Sequence, residues 1–258
     1  GQWTLIDQDQ IRSVLKFLEK CREQKMTGRE FVRVALGGDS GIRSLTVEAV
    51  DADGWIGDLL KKMTGKGEFG ILEQPDGFSG KLRNYQERGF SWLSFLRQWG
   101  LGACLADDMG LGKTVQTLAL IQKEWNQGEK HPVLLICPTS VANNWRKEAE
   151  QFTPGLPVLV HHGAGRGKKD SFAEMAQNRA MVISSYNLLQ KDLELFQSVH
   201  WSAVILDEAQ NIKNPETKQS KAARSLNADY RIALTGTPVE NHVGDLWAIM
   251  EFLNPGFL

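Results

Sequence analysis

Residues 105–114 read Leu105-Ala106-Asp107-Asp108-Met109-Gly110-Leu111-Gly112-Lys113-Thr114, and their context guides how the remaining sequence is interpreted. An apolar run typical of a strand precedes them, and a helical pattern begins at Lys113. Glycines at such a turn let backbone N–H groups surround phosphate oxygens, and the positive end of the helix adds to the attraction. The segment is therefore interpreted as a phosphate-binding loop, in which Lys113 reaches the β- and γ-phosphates of ATP and the Thr114 hydroxyl ligates Mg²⁺.

The loop departs from the general pattern at one position, because Asp107 stands where a glycine is expected six residues before the lysine. A tight strand-to-helix turn with a solvated lysine would contain the same short Gly/Lys/Thr run. The position between a strand and a helix favours phosphate binding. The candidate ATP-binding residues of the loop are Asp108, Met109, Gly110, Leu111, Gly112, Lys113 and Thr114.

Beyond Lys81 the sequence alternates between apolar runs typical of strands and amphipathic segments typical of helices. The predicted strands are Gly102–Asp107, Val133–Pro138, Val158–His161, Ala180–Ser185, Ala203–Asp207 and Arg231–Thr235. The predicted helices are Tyr85–Trp99, Lys113–Asn126, Val141–Phe152, Leu188–Val199, Lys218–Leu226 and Gly244–Leu253. Buried strands separated by such helices indicate the α/β class, with a doubly wound, mostly parallel sheet covered by helices on both faces.

The sequence before this region has a different character, which predicts a separate accessory segment. Apolar residues recur at helical spacing between Ile11 and Leu18. The stretch Gly65–Gly80 is rich in glycine and is typical of a linker or surface loop. We therefore predict a mainly helical accessory segment over residues 1–74 and an ATP-binding lobe over residues 75–258.

The overall charge does not indicate a nucleic-acid partner. The chain has 258 residues, of which 41% are hydrophobic, and a formal net charge of −1. Nucleic acid would therefore have to bind through local donors on one face. No apolar run is long enough to span a bilayer and no secretory signal is visible, so the cytoplasm is the expected location.

Three other patterns are interpreted as structural. The cysteines lack the paired short spacings of a disulfide framework or a zinc site, and Cys104 and Cys137 lie in apolar runs, so buried thiols are expected. The basic stretch Gly163–Lys169 has no Ser or Thr after its lysines, which predicts a surface loop. His161 and His162 have no acid or cysteine at ligand spacing, which predicts a strand end and not a metal site.

A pair of acids follows the apolar run Ala203–Leu206 directly, in the order Asp207-Glu208-Ala209-Gln210. A phosphate loop needs one strand-end carboxylate to hold Mg²⁺ through water and another to orient the attacking water, and we assign these roles to Asp207 and Glu208. A strand that ends in two solvated acids is the alternative. The combination with Lys113 favours the functional interpretation, because ligands of parallel sheets bind at the carboxyl ends of the strands.

A third strand-end segment is Leu234-Thr235-Gly236-Thr237-Pro238. Glycine and hydroxyl side chains at this position allow close backbone approach and hydrogen bonds to the acidic pair. A simple strand-ending turn would have the same composition.

In this order the three segments resemble the Swi/Snf family of helicase-like ATPases, within the second helicase superfamily. The family's phosphate loop is similar to residues 107–114 and includes an acid where the general pattern has glycine. Its acidic box resembles residues 207–210 and its coupling motif resembles Leu234–Asn241. Weaker similarities lie at residues 82–86, 137–145, 184–186 and 245–255. The resemblance covers about Gly80 to Leu258.

The resemblance implies a RecA-like lobe, ATP and Mg²⁺ as cofactors, and roles for residues outside the phosphate loop. Gln86, with Arg83 beside it, would recognise adenine. Glu208 and Lys113 would be the catalytic residues, and Asp207 with Thr114 the metal ligands. The coupling residues would be Gln210, Thr235, Gly236 and Thr237. The residues that face the nucleic-acid backbone would be Thr139, Asn144 and Ser184.

The resemblance also implies a second RecA-like lobe that supplies arginines to the transferring phosphoryl group, which the 258 residues lack. The isolated lobe is therefore expected to be nearly inactive. Residues 1–74 are similar to an extension of bacterial members, which favours the bacterial cytoplasm and nucleoid over the nucleus. Translocation on duplex DNA is the main functional prediction, with an RNA-dependent helicase and a nucleotide-dependent scaffold module as alternatives.

Overall fold

The computed structural model describes residues 69–163, 169–237 and 243–256, together with Gly57, Asp58, Lys61, Lys62 and Gly67. Phe69–Gly256 form one compact unit. Most of the accessory segment predicted over residues 1–74 lies outside the described residues, and so does most of the predicted surface loop Gly163–Lys169. Both stay predictions.

Helices and strands alternate along the compact unit. The helices are α1 (Asn84–Gln98), α2 (Lys113–Asn126), α3 (Ala142–Phe152), α4 (Lys169–Gln177), α5 (Tyr186–Lys191), α6 (Leu193–Gln197), α7 (Lys218–Arg224) and α8 (Val243–Leu253). The strands are β1 (Ala103–Leu105), β2 (Val133–Cys137), β3 (Val158–Val160), β4 (Met181–Ser185), β5 (Trp201–Asp207) and β6 (Ala228–Leu234). A 3₁₀ turn spans Ala209–Ile212. None of the helices in the described part of the chain is both long and apolar enough to cross a bilayer.

The strands form one parallel sheet of six strands in the order β1-β6-β5-β2-β4-β3. The predicted α/β class with a parallel sheet is therefore confirmed. The register aligns Leu105 of β1 with Leu234 of β6, and Leu234 with Asp207 of β5. Three chain segments thus leave the sheet at the same level, and these are the phosphate loop, the acidic pair and the coupling motif.

The central strands are buried on both faces, which explains why their sequences are almost continuously apolar. Every residue of β2 and β4 is buried, and so is every residue of β5 before Asp207. Because successive side chains of a strand point to opposite faces, this pattern requires a covering layer on each side. On one side Phe172, Phe196 and Trp201 pack together, with ring centroids 5.5 to 6.5 Å apart.

Two helices differ from the prediction. Helix α4 was not predicted, because its buried apolar positions Phe172 and Ala176 are too few to produce a clear period in the sequence. The predicted helix Leu188–Val199 is two helices, since the backbone leaves the helical conformation at Asp192. The Asp192 carboxylate lies 3.0 Å from Nε2 of His161, a histidine that is 1% exposed and needs a polar partner.

The structure confirms the prediction of a buried thiol for Cys137, whereas Cys104 is only partly buried. Both are free thiols, and burial raises the pKa of Cys104 to about 11 and that of Cys137 to about 12. His161 ends its strand segment and contacts Asp192. Within the described ranges no group of three or more His, Cys, Asp or Glu side chains could hold a metal ion.

Candidate active site

The phosphate loop connects β1 to α2 through two glycines in the left-handed backbone region. Gly110 has φ 84° and Gly112 has φ 80°, a conformation that costs other residues about 1–2 kcal/mol. Gly112 is also the N-cap of α2, and glycine has no side chain that could bond to the amides of the first helical turn. Those amides lack intrahelical acceptors, so they can donate to an anion.

The side chain of Lys113 curls back along its own loop. Its Nζ donates to the carbonyl oxygens of Asp107 at 2.7 Å and Asp108 at 3.2 Å. The Asp107 carboxylate accepts from Nε2 of Gln116 at 2.9 Å, and Gln116 is fully buried. Asp107, which replaces the expected glycine, therefore ties the loop to α2, and the Lys113 ammonium is held against the loop instead of extending into solvent.

Gln86 connects the start of α1 to the phosphate loop. Its Nε2 donates to the carbonyl oxygen of Leu111 at 3.2 Å, and its Oε1 accepts from the backbone N–H of Arg83 at 3.0 Å. Gln86 is 8% exposed, whereas Arg83 is exposed. The structure thus places Gln86 against the loop, as expected for a nucleotide-site residue, and adenine recognition by Gln86 and Arg83 stays a prediction.

Replacing Gly112 with alanine is expected to destabilise the protein more than the same change at Gly110. Both glycines have positive φ, so both variants carry a similar backbone cost. A Cβ at Gly112 would lie 2.5 Å from Nε2 of Gln86, whereas nothing lies within 4 Å of a Cβ at Gly110. The additional loss should be about 1 kcal/mol, the usual value of one hydrogen bond. Urea unfolding of both variants measures the difference in their free energies of unfolding. Equal losses of stability would show that the contact between Gln86 and Leu111 does not contribute to stability.

The Asp207 carboxylate is held in place on both of its oxygens. Oδ1 accepts from the backbone N–H of Glu208 at 3.0 Å, and Oδ2 accepts from the indole Nε1 of Trp145 at 2.7 Å. The hydroxyl of Tyr186 donates to the Asp207 backbone carbonyl at 2.9 Å. Burial raises the pKa of Asp207, while the Trp145 N–H and the nearby Lys113 ammonium lower it. The structure therefore brings Lys113 and Asp207 close enough to interact electrostatically.

Glu208 has the left-handed backbone conformation that is uncommon outside glycine, with φ 52° and ψ 55°. Its carbonyl oxygen accepts from the backbone N–H of Asn211 at 3.0 Å and from the Asn211 side chain at 2.8 Å. A strained residue of this kind costs about 1–3 kcal/mol and is found mainly at functional sites. Here it turns the chain away from β5 immediately after Asp207.

A continuous chain of hydrogen bonds links Glu208 to the coupling segment. Oε2 of Glu208 accepts from Nε2 of Gln210 at 2.7 Å. Oε1 of Gln210 accepts from the Thr235 hydroxyl at 2.9 Å, and that hydroxyl accepts from the backbone N–H of Thr237 at 3.1 Å. A movement of the Glu208 side chain would therefore be felt at residues 235–237.

The coupling segment also contacts the phosphate loop. The backbone N–H of Thr235 donates to the carbonyl of Leu105 at 3.1 Å. A Cβ at Gly236 would lie 3.3 Å from Cγ of Met109, so the absence of a side chain at Gly236 allows this close approach. Met109 itself is 81% exposed. The three strand-end segments thus form one cluster.

Two residues of this cluster were expected to have another role. Trp145 and Tyr186 lie within segments that were expected to face nucleic acid, but they are 2% and 4% exposed and bond to Asp207.

The residues expected to contact nucleic acid do not share one environment. Thr139 and Asn144 are exposed, and both stay candidates for backbone contacts. Ser184 is 2% exposed and its hydroxyl donates to the carbonyl oxygen of His161 at 3.3 Å. Because every residue of β4 is buried, both faces of this strand are covered and the Ser184 side chain does not reach the surface, which corrects the expectation for this residue.

The donor set at the strand ends fits Mg²⁺. Thr114 and Asp207 offer a hydroxyl and a carboxylate, the ligand type that this hard cation prefers. Each Asp207 oxygen accepts one hydrogen bond from the protein, and a carboxylate has about four lone-pair sites, so acceptor capacity is left for an ion or its waters. Thr114 and Asp207 would hold the ion.

These features define a class of protein. A glycine-rich loop with a lysine, facing a strand-end pair of acids on one edge of a parallel sheet, forms the nucleotide-binding lobe of a P-loop ATPase with a RecA-like fold. Comparison with known families identifies the class more closely, because the SNF2-related domain matches residues 85–258. The chain therefore belongs to the SNF2-related family of helicase-like ATPases, and the predicted membership of the Swi/Snf family is confirmed.

Individual relatives agree with this assignment. The chain is 41% identical to the putative ATP-dependent helicase/translocase YwqA of Bacillus subtilis, and the match covers 100% of this chain and 29% of YwqA. It is 39% identical to the helicase swr1 of Schizosaccharomyces pombe, over 71% of this chain and 14% of that protein. The chain thus spans less than a third of the length of these relatives.

A solved structure confirms the RecA-like fold. The Sulfolobus solfataricus SWI2/SNF2 ATPase core in complex with dsDNA is 46% identical to this chain, with a TM-score of 0.67. The match covers 73% of this chain and 38% of the archaeal one. A second structure, of the Sulfolobus solfataricus SWI2/SNF2 ATPase core domain, matches with a TM-score of 0.64.

Proposed function

We propose that this chain is the ATP-binding lobe of a DNA-dependent translocase or remodelling ATPase, which couples hydrolysis of Mg²⁺-bound ATP to movement on duplex DNA. One observation supports it above the others: the phosphate loop and the acidic pair leave the sheet at one edge, from which hydrogen bonds lead from Glu208 through Gln210 to Thr235 and Thr237. A nucleotide site without a motor function would not need the hydrogen bonds that lead through Gln210 to Thr235 and Thr237.

Each residue of the site has a defined task in this proposal. The amides at the start of α2 bind phosphate oxygens, and Lys113 exchanges its bonds to the Asp107 and Asp108 carbonyls for bonds to the β- and γ-phosphates. Bound Mg²⁺ neutralises charge on the phosphates. Glu208 orients the attacking water and accepts its proton. Because Gln210 holds the Glu208 carboxylate, a change at this carboxylate is passed to Thr235.

Duplex DNA is the proposed partner, and binding would not depend on its sequence. The support is the similarity to a core whose structure was determined with dsDNA. Thr139 and Asn144 are exposed near the start of α3, where hydroxyl and amide groups can donate to phosphates without contacting base edges. The match to a bacterial protein over the whole chain favours the bacterial cytoplasm, near the nucleoid, as the place of action.

The test is the ATPase rate of the full-length protein with duplex DNA, single-stranded DNA and duplex RNA at equal nucleotide concentrations. Stimulation by duplex DNA, together with displacement of a triplex-forming strand from it, is expected. Stronger stimulation by RNA would favour the RNA-dependent helicase. If Glu208→Gln left the protein's activity in cells unchanged, a nucleotide-dependent scaffold would be the better description.

The 258-residue chain alone is expected to hydrolyse ATP at a rate close to the background, with or without duplex DNA. The second RecA-like lobe of the same protein is the proposed source of arginines for the transition state, and loss of such an arginine lowers the rate by about 10³–10⁵-fold. Measuring the rate of phosphate release by this chain and by the full-length protein tests the expected difference between their ATPase rates. A rate for the chain within tenfold of the full-length rate would contradict the proposed division of labour.

A further inference from the structure

We propose that α3 is a positioning element of the magnesium site, in which Trp145 fixes the Asp207 carboxylate. Asp207 is one of the two residues that would hold the ion, and its Oδ2 accepts a hydrogen bond from the indole N–H of Trp145. This inference rests on the proposed function, because it concerns the metal that the ATPase uses.

Trp145 determines the orientation of the carboxylate. Its indole N–H is a donor only, and the 2.7 Å bond to Oδ2 joins Asp207 to a ring that is 2% exposed. Ala142 and Ala149, one turn away on each side, are small and buried, which lets the helix approach the sheet. With Oδ1 bound by the Glu208 N–H, the carboxylate plane is held on both oxygens, so the remaining lone pairs keep one direction.

A purely structural role for Trp145 is the competing explanation, since a buried indole N–H usually finds an acceptor in any protein. The structural role and the positioning role predict different effects of replacing Trp145. Loss of packing lowers stability and weakens all nucleotide binding together. Loss of positioning weakens binding of the metal, while the loop amides and Lys113 continue to bind the phosphates.

The experiment measures the affinity of the full-length protein for a fluorescent ATP analogue at a series of Mg²⁺ concentrations and with EDTA. Trp145→Phe is expected to raise the Mg²⁺ concentration for half-maximal tightening of nucleotide binding by about 10–100-fold, the usual effect of losing an outer partner of a metal ligand. Affinity in EDTA should stay at the wild-type value.

Matched controls are available on neighbouring positions. Trp125→Phe changes a tryptophan of α2, and Glu150→Ala removes an exposed acid of α3 itself. Neither should change the Mg²⁺ dependence. An unchanged Mg²⁺ dependence in Trp145→Phe, or an equal loss of affinity with and without Mg²⁺, would overturn the inference and leave the proposed function intact. A wild-type protein that bound no ATP analogue would overturn both.

Discussion

Replacing Lys113 with alanine is expected to lower kcat/KM for ATP hydrolysis by the full-length protein by about 10²–10³-fold, the usual effect of removing one donor to the developing charge. Nucleotide affinity should fall as well, because Lys113 would contact the β- and γ-phosphates in the ground state. The fold should survive, since the bonds that Nζ makes go to the carbonyls of Asp107 and Asp108 at a partly exposed loop. Steady-state phosphate release and ATP titration measure the two effects.

The matched control is Lys123→Ala, which removes a lysine from the other end of the same helix. Lys123 Nζ contacts Gln127 at 3.3 Å and Glu124 at 3.9 Å, far along α2 from the phosphate loop. This variant should hydrolyse ATP at the wild-type rate and unfold at nearly the wild-type temperature. If Lys113→Ala kept wild-type kcat/KM, the loop would be a structural turn and the assignment of the nucleotide site would be wrong.

The sequence was sufficient to predict the sheet and its functional edge, for a physical reason. Strands buried on both faces have almost uninterrupted apolar sequences, as β2 and β5 show, so their ends are easily located. Parallel strands end at one edge, and the residues after each strand therefore belong to one site. The sequence therefore predicts that Lys113 and Asp207 lie at the same edge of the sheet.

The sequence was not sufficient for side chains that reach the site from outside the strand ends. Trp145 lies 62 positions before Asp207, and no local pattern indicates which acceptor its indole N–H finds. Ser184 is buried because both faces of β4 are covered by other parts of the chain. At the helix break, the Asp192 carboxylate contacts His161, 31 positions earlier. Each of these contacts joins residues distant in sequence, so a local pattern does not show it.

Replacing Glu208 with glutamine is expected to separate binding from hydrolysis. Glutamine has the shape of glutamate, and its amide oxygen can still accept from Nε2 of Gln210, so the hydrogen bonds to Thr235 should persist. It cannot accept a proton from the attacking water, and loss of such a group lowers the rate by about 10²–10⁴-fold. We therefore expect unchanged affinity for Mg²⁺-bound ATP and duplex DNA, with kcat reduced by that factor in the full-length protein.

Glu216→Gln is the control for this change, because Glu216 is an exposed acid beyond the 3₁₀ turn, whose carboxylate contacts Nζ of Lys221 at 2.8 Å. It should leave kcat and both affinities unchanged. Two results for Glu208→Gln would contradict the assigned role. A wild-type kcat would mean that another group orients the water, and a parallel loss of ATP affinity would mean that Glu208 serves binding. Because the substitution preserves shape and the bond to Gln210, a selective loss of kcat would identify the carboxylate charge itself as the element that drives hydrolysis.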